Sequence, residues 1–453
     1  MSTPGTAALL RDAALRASRY LETIGDRSVA PSAAAVEGLG ALDGPLPDGP
    51  ADAQAILADL DEIVGPATMA TAGPRFFGFV IGGALPATVA ANVLATAWDQ
   101  NSARSDVTPG TARIEAVALR WIVEALALPA GTAGGLVTGA TLANFTALGA
   151  ARHALLAREG WHVEARGLFG APELEVVVGA EVHVSVLKAL ALLGLGKDRV
   201  TVAPTDGQGR IRADAFPPVG PRTIVCLQAG NVNSGSFDPA EALVPRARAG
   251  GAWVHVDGAF GLWARAAPGR AALARGLEGA DSWATDLHKW LNVPYDSGIA
   301  LVRDERALRA AMGMSAAYLP EGSLRDPAEY TPELSRRARG IEAWAALRAL
   351  GRSGLAELVE RNCRQARRFA EGLAAAGHRV LNDVVLNQVV VSFGDADRTR
   401  RVVAAIQRDG TCWCGGTTWQ GHAAMRISVS SWATTDADVE RSLDAMLRAA
   451  REA

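Results

Sequence analysis

The residues best suited to covalent chemistry lie in "DSWATDLHKWLNVPY" (281–295). There Lys289 stands between His288 and Trp290, flanked along the chain by the apolar runs "AWVHV" (252–256) and "GIALV" (298–302). Lysines usually stay at a solvated surface, their stems lying across apolar neighbours. A lysine held in a pocket can instead lose its proton near neutral pH and attack a carbonyl as an amine. One strand candidate earlier, "HVDGAFG" (255–261) puts Asp257 at the end of an apolar run, followed by Gly258, Ala259 and Gly261. Ligands of open α/β sheets bind outside the carboxyl ends of strands. A carboxylate at that edge needs a cation or donors around it. Alone, Asp257 reads as a turn or cap aspartate; its pairing with Lys289 is what points to a site.

Two further stretches carry weight in combination. In "GGLVTGATLANFTALGAARHALLA" (134–157), Thr138, Gly139, Ala140 and Thr141 form a small-residue turn opening a helix with apolar residues at 142, 145 and 148. Free N–H groups and the helix dipole make such a turn an anion cradle, although by itself it is equally a strand–helix turn with a Thr cap. In "EVHVSVLKALALLGLG" (181–196), His183 opens another helix. It suits either a cap or a ring laid on a planar ligand. A nucleophilic lysine, a carboxylate for a ring nitrogen, a phosphate cradle and a stacking imidazole together suit one object, pyridoxal 5′-phosphate. The P-loop, dinucleotide GxGxxG, HExxH and GxSxG patterns are absent.

These groups need a frame. Short β-branched runs at 175–179, 199–203, 222–228, 252–258 and 298–302 alternate with helical stretches such as 184–193 and 239–249. That alternation predicts βαβ units and a mainly parallel sheet covered on both faces. Before it, 1–74 reads as an N-terminal helical arm with a Pro/Gly break at 43–50. After it come a polar stretch (315–338), a long helical run (340–375), strand-like "VVLNQVVVSF" (384–393) and "MRISVSSW" (425–432), and a closing amphipathic helix from 435. The expected organisation is the arm, a large cofactor-binding α/β domain at 75–310, a mobile loop and long connecting helix at 311–375, and a small α+β domain at 376–453.

The 453 residues are 49% hydrophobic and 21% charged, with a net charge of −3. No basic footprint for nucleic acid is present, no apolar run is long enough to cross a bilayer, and charges inside the first helix exclude a secretory signal. Cys226, Cys363, Cys412 and Cys414 are too few for a disulfide framework. "CWC" (412–414) reads as structural or incidental. A cytoplasmic protein is expected.

"DLHKWLNVPYDSGIALVR" resembles the lysine motif of the pyridoxal-phosphate-dependent group II amino-acid decarboxylases, which include aromatic-L-amino-acid, glutamate and histidine decarboxylases. "HVDGAFG", "EVHVSVLKALALLGLG", "TGATLANFTALGAAR" and "GSFDP" (235–239) match further motifs in the right order, and the resemblance runs from "GPRFFGF" near 74 to the C-terminus. It implies the type I, aspartate aminotransferase-like fold, with a seven-stranded, mainly parallel sheet in the large domain and a smaller α+β C-terminal domain. It also implies a homodimer with active sites at the interface.

Carried over by motif, Lys289 would form the Schiff base with the cofactor, and Asp257 would pair with the pyridinium nitrogen beside Ala259. His183 would stack on the ring and assist proton transfer. Gly139, Ala140, Thr141 and His288 would contact the phosphate, as would Asp286, where the family often has Asn. Phe79 and Val80 would line the substrate side chain, and Tyr330 would return a proton to the substrate's α-carbon. Leu142 replaces the family's usual Glu. "GNVNS" (230–234) replaces a Thr-rich stretch, so that contact falls to Asn231 or Asn233.

The activity expected is decarboxylation of an L-amino acid, aromatic or apolar in view of Phe76, Phe77, Phe79, Val80 and Ile81, to the amine and CO2. The same scaffold also serves transamination, lyase and aldehyde-forming chemistry, with a non-catalytic scaffold as a distant alternative. Arg426 in "MRISVSS" fits a substrate-carboxylate anchor, which would favour transamination, as well as it fits a structural ion pair.

Overall fold

A computed structural model describes residues 5–313 and 325–453. Of the loop expected within 311–375, residues 314–324 lie outside the described residues. The central sheet has seven strands: β1 (Ala133–Val137), β2 (Glu175–Gly179), β3 (Val200–Ala203), β4 (Thr223–Gln228), β5 (Trp253–Asp257), β6 (Ser282–Asp286) and β7 (Gly298–Val302). Their order is β1-β7-β6-β5-β4-β2-β3. Pairing is parallel from β3 to β6, and β7 runs antiparallel to both β6 and β1. β5, β6 and β7 are buried along their whole length, as continuous apolar runs covered on both faces must be.

The β-branched pattern did not mark β1 or β6: "AGGLV" lacks β-branched bulk until Val137, and "SWATD" has only Thr285. The glycines of β1 have a steric cause. A Cβ on Gly134 would lie 2.6 Å from Ala300 O, and one on Gly135 would lie 2.5 Å from Tyr330 O. The helix Ala140–Arg158 follows directly. It buries Ala143, Asn144, Ala147, Leu148 and Ala151 against the sheet, and its short side chains let the helix axis lie close to the strands. Near the carboxyl end of β1, Arg336 donates to Leu136 O (2.6 Å) and to Glu115 Oε2 (2.7 Å). Both side chains are fully enclosed.

The expected single long helix is broken. Helical hydrogen bonding runs through Gly340–Ala375, but Gly351 sits at φ 61°, so the run is two helices meeting at a kink. The first packs against the helices Pro86–Trp98 and Pro109–Ala125. The second supplies Phe369 and Leu373 to the C-terminal core. That core lies beneath an antiparallel sheet of β8 (Arg379–Val380), β9 (Gln388–Ser392), β10 (Gly415–Trp419) and β11 (His422–Ser428), ordered β10-β11-β9-β8. The helices Ala396–Asp409 and Asp436–Glu452 pack against it. No helix among the described residues is long and apolar enough to cross a membrane.

The "GSFDP" segment works as a strut for β4. Asp238 accepts the Ile211 N–H on Oδ1 and the Gln228 N–H on Oδ2, both at 2.7 Å. Burial pushes its pKa up to about 7, against the pull of those two donors. An asparagine there would face one of the N–H groups with its own NH2. Asp238→Asn is therefore expected to lower stability by about 1–3 kcal/mol, read as a shifted denaturant midpoint with an unchanged slope.

Candidate active site

The chemistry-bearing residues collect at the carboxyl edge of the parallel strands. Asp257 ends β5 and Asp286 ends β6, with Asp257 in register with Gln228 on β4 and Ala284 on β6. The turn after β6 brings Lys289 back, so that its Nζ lies 2.8 Å from Asp286 Oδ2. Asp286 Oδ1 accepts the Ala140 N–H at 2.5 Å, at the start of the helix Ala140–Arg158. His288 Nδ1 accepts the Ser297 N–H at 3.1 Å, which leaves its proton on Nε2, 3.6 Å from Asp286 Oδ1. Burial lowers the His288 pKa, so the ring is neutral. Ammonium, imidazole N–H and helix N-terminal amide thus converge on one carboxylate, in the donor geometry that holds an anion.

Close backbone approach makes this possible. A Cβ on Gly298 would lie 2.5 Å from Gly139 Cα, and one on Gly139 would lie 3.1 Å from His288 Cε1. From the other side the 78–83 loop presses on the lysine: a Cβ on Gly82 would lie 1.8 Å from Lys289 O. That loop holds Phe79 at φ 53° and Val80 at φ 60°. A β-branched residue at positive φ is a genuine outlier, and such strain collects at functional sites.

Asp257 is buried, with Oδ1 accepting the Ala259 N–H at 3.2 Å. Its Oδ2 has no partner among the described residues. Burial raises its pKa, and the charges of His183 and Lys289 and the Ala259 N–H only partly oppose that. A carboxylate in this state is short of a cationic donor. His183 caps the helix Val184–Leu192. Burial lowers its pKa, Asp257 and Asp286 pull it up, and Lys289 and Arg426 push it down. The side chains of Asp257, Asp286, Lys289, His183 and Arg426 therefore feel one another's charge. Arg426, on β11, has its pKa lowered by burial with no carboxylate raising it.

Several expected residues stand elsewhere. Tyr330 is 3% exposed. Its hydroxyl donates to Glu305, its ring lies 4.0 Å beneath the Arg325 guanidinium, and its backbone abuts Gly135. Burial and Glu305 push its pKa up to about 12. Within this chain Tyr330 is held in the turn Pro327–Tyr330 by Glu305 and Arg325. Asn231 is likewise committed: Oδ1 accepts the Asn233 and Ser234 N–H groups, and Nδ2 donates to Gln228 Oε1. The amide shapes the loop after β4, with one N–H of Nδ2 engaged by Gln228. Val80 is 1% exposed, within the main core cluster, whereas Phe79 is 61% exposed.

Sequence reasoning missed Trp413. Cys412 and Cys414 point into the C-terminal core, and Trp413 between them turns the other way. It stacks on Phe76 at 5.0 Å and meets Phe79 at 5.5 Å. The alternation in "CWC" was the available signal, since a period of two sends the central residue to the opposite face. Asn233 is a second omission in its observed role, accepting the Thr417 hydroxyl at 2.9 Å and so tying the β4 loop to β10.

The residues present fit pyridoxal phosphate. The unpartnered Asp257 Oδ2 calls for a protonated ring nitrogen, Lys289 offers an amine at the same carboxyl edge, and Gly139–Thr141 opens a helix N-terminus there.

A family model described as "Pyridoxal-dependent decarboxylase conserved domain" matches residues 38–393. L-2,4-diaminobutyrate decarboxylase of Rhizobium meliloti is 30% identical over 391 residues, spanning 82% of this chain and 76% of that protein. Tryptophan decarboxylase 1 of Oryza sativa is 27% identical over 416 residues, spanning 83% and 80%. The crystal structure of Oryza sativa TDC with PLP and tryptamine superposes with a TM-score of 0.90 at 22% identity, over 100% of this chain and 99% of that one.

Proposed function

This chain belongs to the pyridoxal-dependent decarboxylases, and from that premise we propose that it decarboxylates an aromatic or bulky apolar L-amino acid. PLP-dependent decarboxylation of an amino acid is the family's chemistry; the side-chain preference is the new element. The observation that carries it is the aromatic wall of Phe76, Phe79 and Trp413 beside the strained loop that presses on Lys289. Such a wall favours an aromatic or apolar side chain over a charged one. The relatives act on both kinds by name, diaminobutyrate in one case and tryptophan in the other. The test is a panel of L-tryptophan, L-phenylalanine, L-leucine, L-2,4-diaminobutyrate and L-glutamate, scored for CO2 and amine. Preference for diaminobutyrate or glutamate would sink the proposal.

Pyridoxal phosphate supplies an aldehyde for the substrate amine and a pyridinium ring that takes up the electron pair left when CO2 departs. Lys289 is the amine that would hold the aldehyde. Asp257 keeps the ring nitrogen protonated. Its burial makes it an effective partner, because an ion pair in a dry site is stronger than one in water. Gly139, Ala140, Thr141 and His288 would hold the phosphate, with Asp286 setting the position of Lys289. His183 would lie against the ring and handle a proton at the substrate. Arg426 would orient the substrate carboxylate for its loss as CO2, a use that serves decarboxylation as well as transamination.

Arg426→Gln is expected to lower kcat/KM by about 10–100-fold, mostly through KM, for loss of a charge-assisted contact. Unchanged kinetics would return Arg426 to a structural role. Exposed apolar residues on the helices Thr6–Thr23 (Leu10, Leu15) and Pro86–Trp98 (Val93, Leu94, Trp98) support the homodimer, with light scattering as its check.

A further inference from the structure

His183 sits at one end of a chain of buried polar groups whose proton directions can be worked out link by link. Its Nδ1 accepts the Ser185 backbone N–H at 3.2 Å. An amide N–H only donates, so Nδ1 carries no proton. Ser185 Oγ lies 2.7 Å from the same nitrogen and must therefore donate to it. The hydroxyl oxygen then accepts, and Asn144 Nδ2 donates to it at 3.5 Å. That leaves Asn144 Oδ1 facing His255 Nε2 at 2.8 Å, so His255 carries its proton on Nε2. Its Nδ1 accepts from Ser282 Oγ at 2.9 Å, and Ser282 Oγ accepts the Trp253 indole N–H at 2.9 Å. Indole, like an amide N–H, only donates. Both ends of the chain are obligate donors, and this assignment of the protons satisfies every link.

The chain is well enclosed. Asn144, His255 and Ser282 are fully buried, and Trp253 and Ser185 are 3% and 7% exposed. Burial takes the His255 pKa down to about 3, so this ring stays neutral. Asn144 lies on the helix Ala140–Arg158, whose first turn forms the anion cradle. The helix that grips the phosphate also orients the imidazole.

We propose that Ser185, Asn144 and His255 are positioning residues that fix His183 as the neutral Nε2–H tautomer. The inference rests on the reading of His183 as the imidazole beside the cofactor. Its consequence is directional. The one ring proton is on the nitrogen away from the relay, so His183 offers a donor at Nε2. It accepts a proton there only after giving that one up. Charging the ring would require a proton on Nδ1, into two donors. Of the charged groups facing it, Asp257 and Asp286 favour that proton, and Lys289 and Arg426 oppose it.

The test is NMR of the cofactor-loaded protein labelled with 15N-histidine, the His183 signals being assigned by their loss in His183→Gln. The expected result is an unprotonated Nδ1 and a protonated Nε2, constant from about pH 6 to about pH 8. In Ser185→Ala the backbone N–H still keeps Nδ1 unprotonated in the neutral ring, but loss of the hydroxyl donor raises the ring's titration midpoint by roughly one unit, with the acidic limb of the pH–rate profile moving with it. Ser185→Thr restores the midpoint. A wild-type ring protonated on Nδ1, or a Ser185→Ala ring with the wild-type midpoint, overturns the proposal. The wild-type spectrum decides even if a variant fails to fold. The turnover of His183→Gln separately decides the reading beneath it: full activity removes His183 from the site without altering what the spectrum says about the relay.

Discussion

Lys289→Ala is expected to fold, to lose the visible absorbance of the lysine-bound cofactor, and to lose turnover by at least about 10³-fold. Lys289 is the amine at the carboxyl edge that can hold an aldehyde and exchange it for a substrate amine. Its 2.8 Å contact with Asp286 adds a second effect. Removing the ammonium leaves that carboxylate beside the cofactor's phosphate, with His288 and the Ala140 N–H left to offset it, so cofactor affinity should fall as well. Lys289→Arg separates the two. It keeps a cation next to Asp286 but cannot act as the amine, so it should retain more of the cofactor affinity and still lack turnover. Absorbance titration with pyridoxal phosphate and CO2 release measure both. Lys289→Ala within tenfold of wild-type activity would remove the lysine from the mechanism.

The parts of this site that could be read from sequence are those where backbone and side chain obey the same local rule. Asp257 and Lys289 follow buried strands, and their place at the carboxyl edge follows from the alternation of strand and helix. The helix at 140 was visible from its apolar spacing. β1 was not legible, because its glycines answer to atoms of Ala300 and Tyr330 far along the chain. The kink at Gly351 had a signal in "GRSG" (351–354), which was read through as part of one helical run. Tyr330 shows a different limit. A tyrosine near a loop matches a motif equally well with its hydroxyl free or bonded, and only Glu305 across the fold decides between them. The three-donor environment of Asp286 was also out of reach. Position 286 carries a carboxylate where an amide is common, and the Ala140 N–H and Lys289 that accommodate it come together only in three dimensions.

Asp257→Asn should move activity and stability in opposite directions. In the cofactor-free protein the Asp257 carboxylate is buried with Oδ2 unpartnered among the described residues, and burial raises its pKa. The unfolded carboxyl titrates near its ordinary value, about 4. The native chain therefore binds this proton more tightly than the unfolded one. The stability associated with it is complete below the unfolded pKa, declines as pH rises above that value, and is gone once pH passes the folded pKa. Asparagine does not ionise, so the cofactor-free variant should escape that decline and be more stable near neutral pH by about 1–3 kcal/mol. Bound to pyridoxal phosphate, the same variant lacks the anion that keeps the ring nitrogen protonated, and turnover should fall by about 10²–10⁴-fold. Thermal unfolding of the cofactor-free pair across pH, set beside CO2 release, reads both. A site built for a cation tolerates an unpaired charge until the cation arrives, so loss of stability in cofactor-free Asp257→Asn would make this aspartate a structural residue, and unchanged turnover would take it away from the ring.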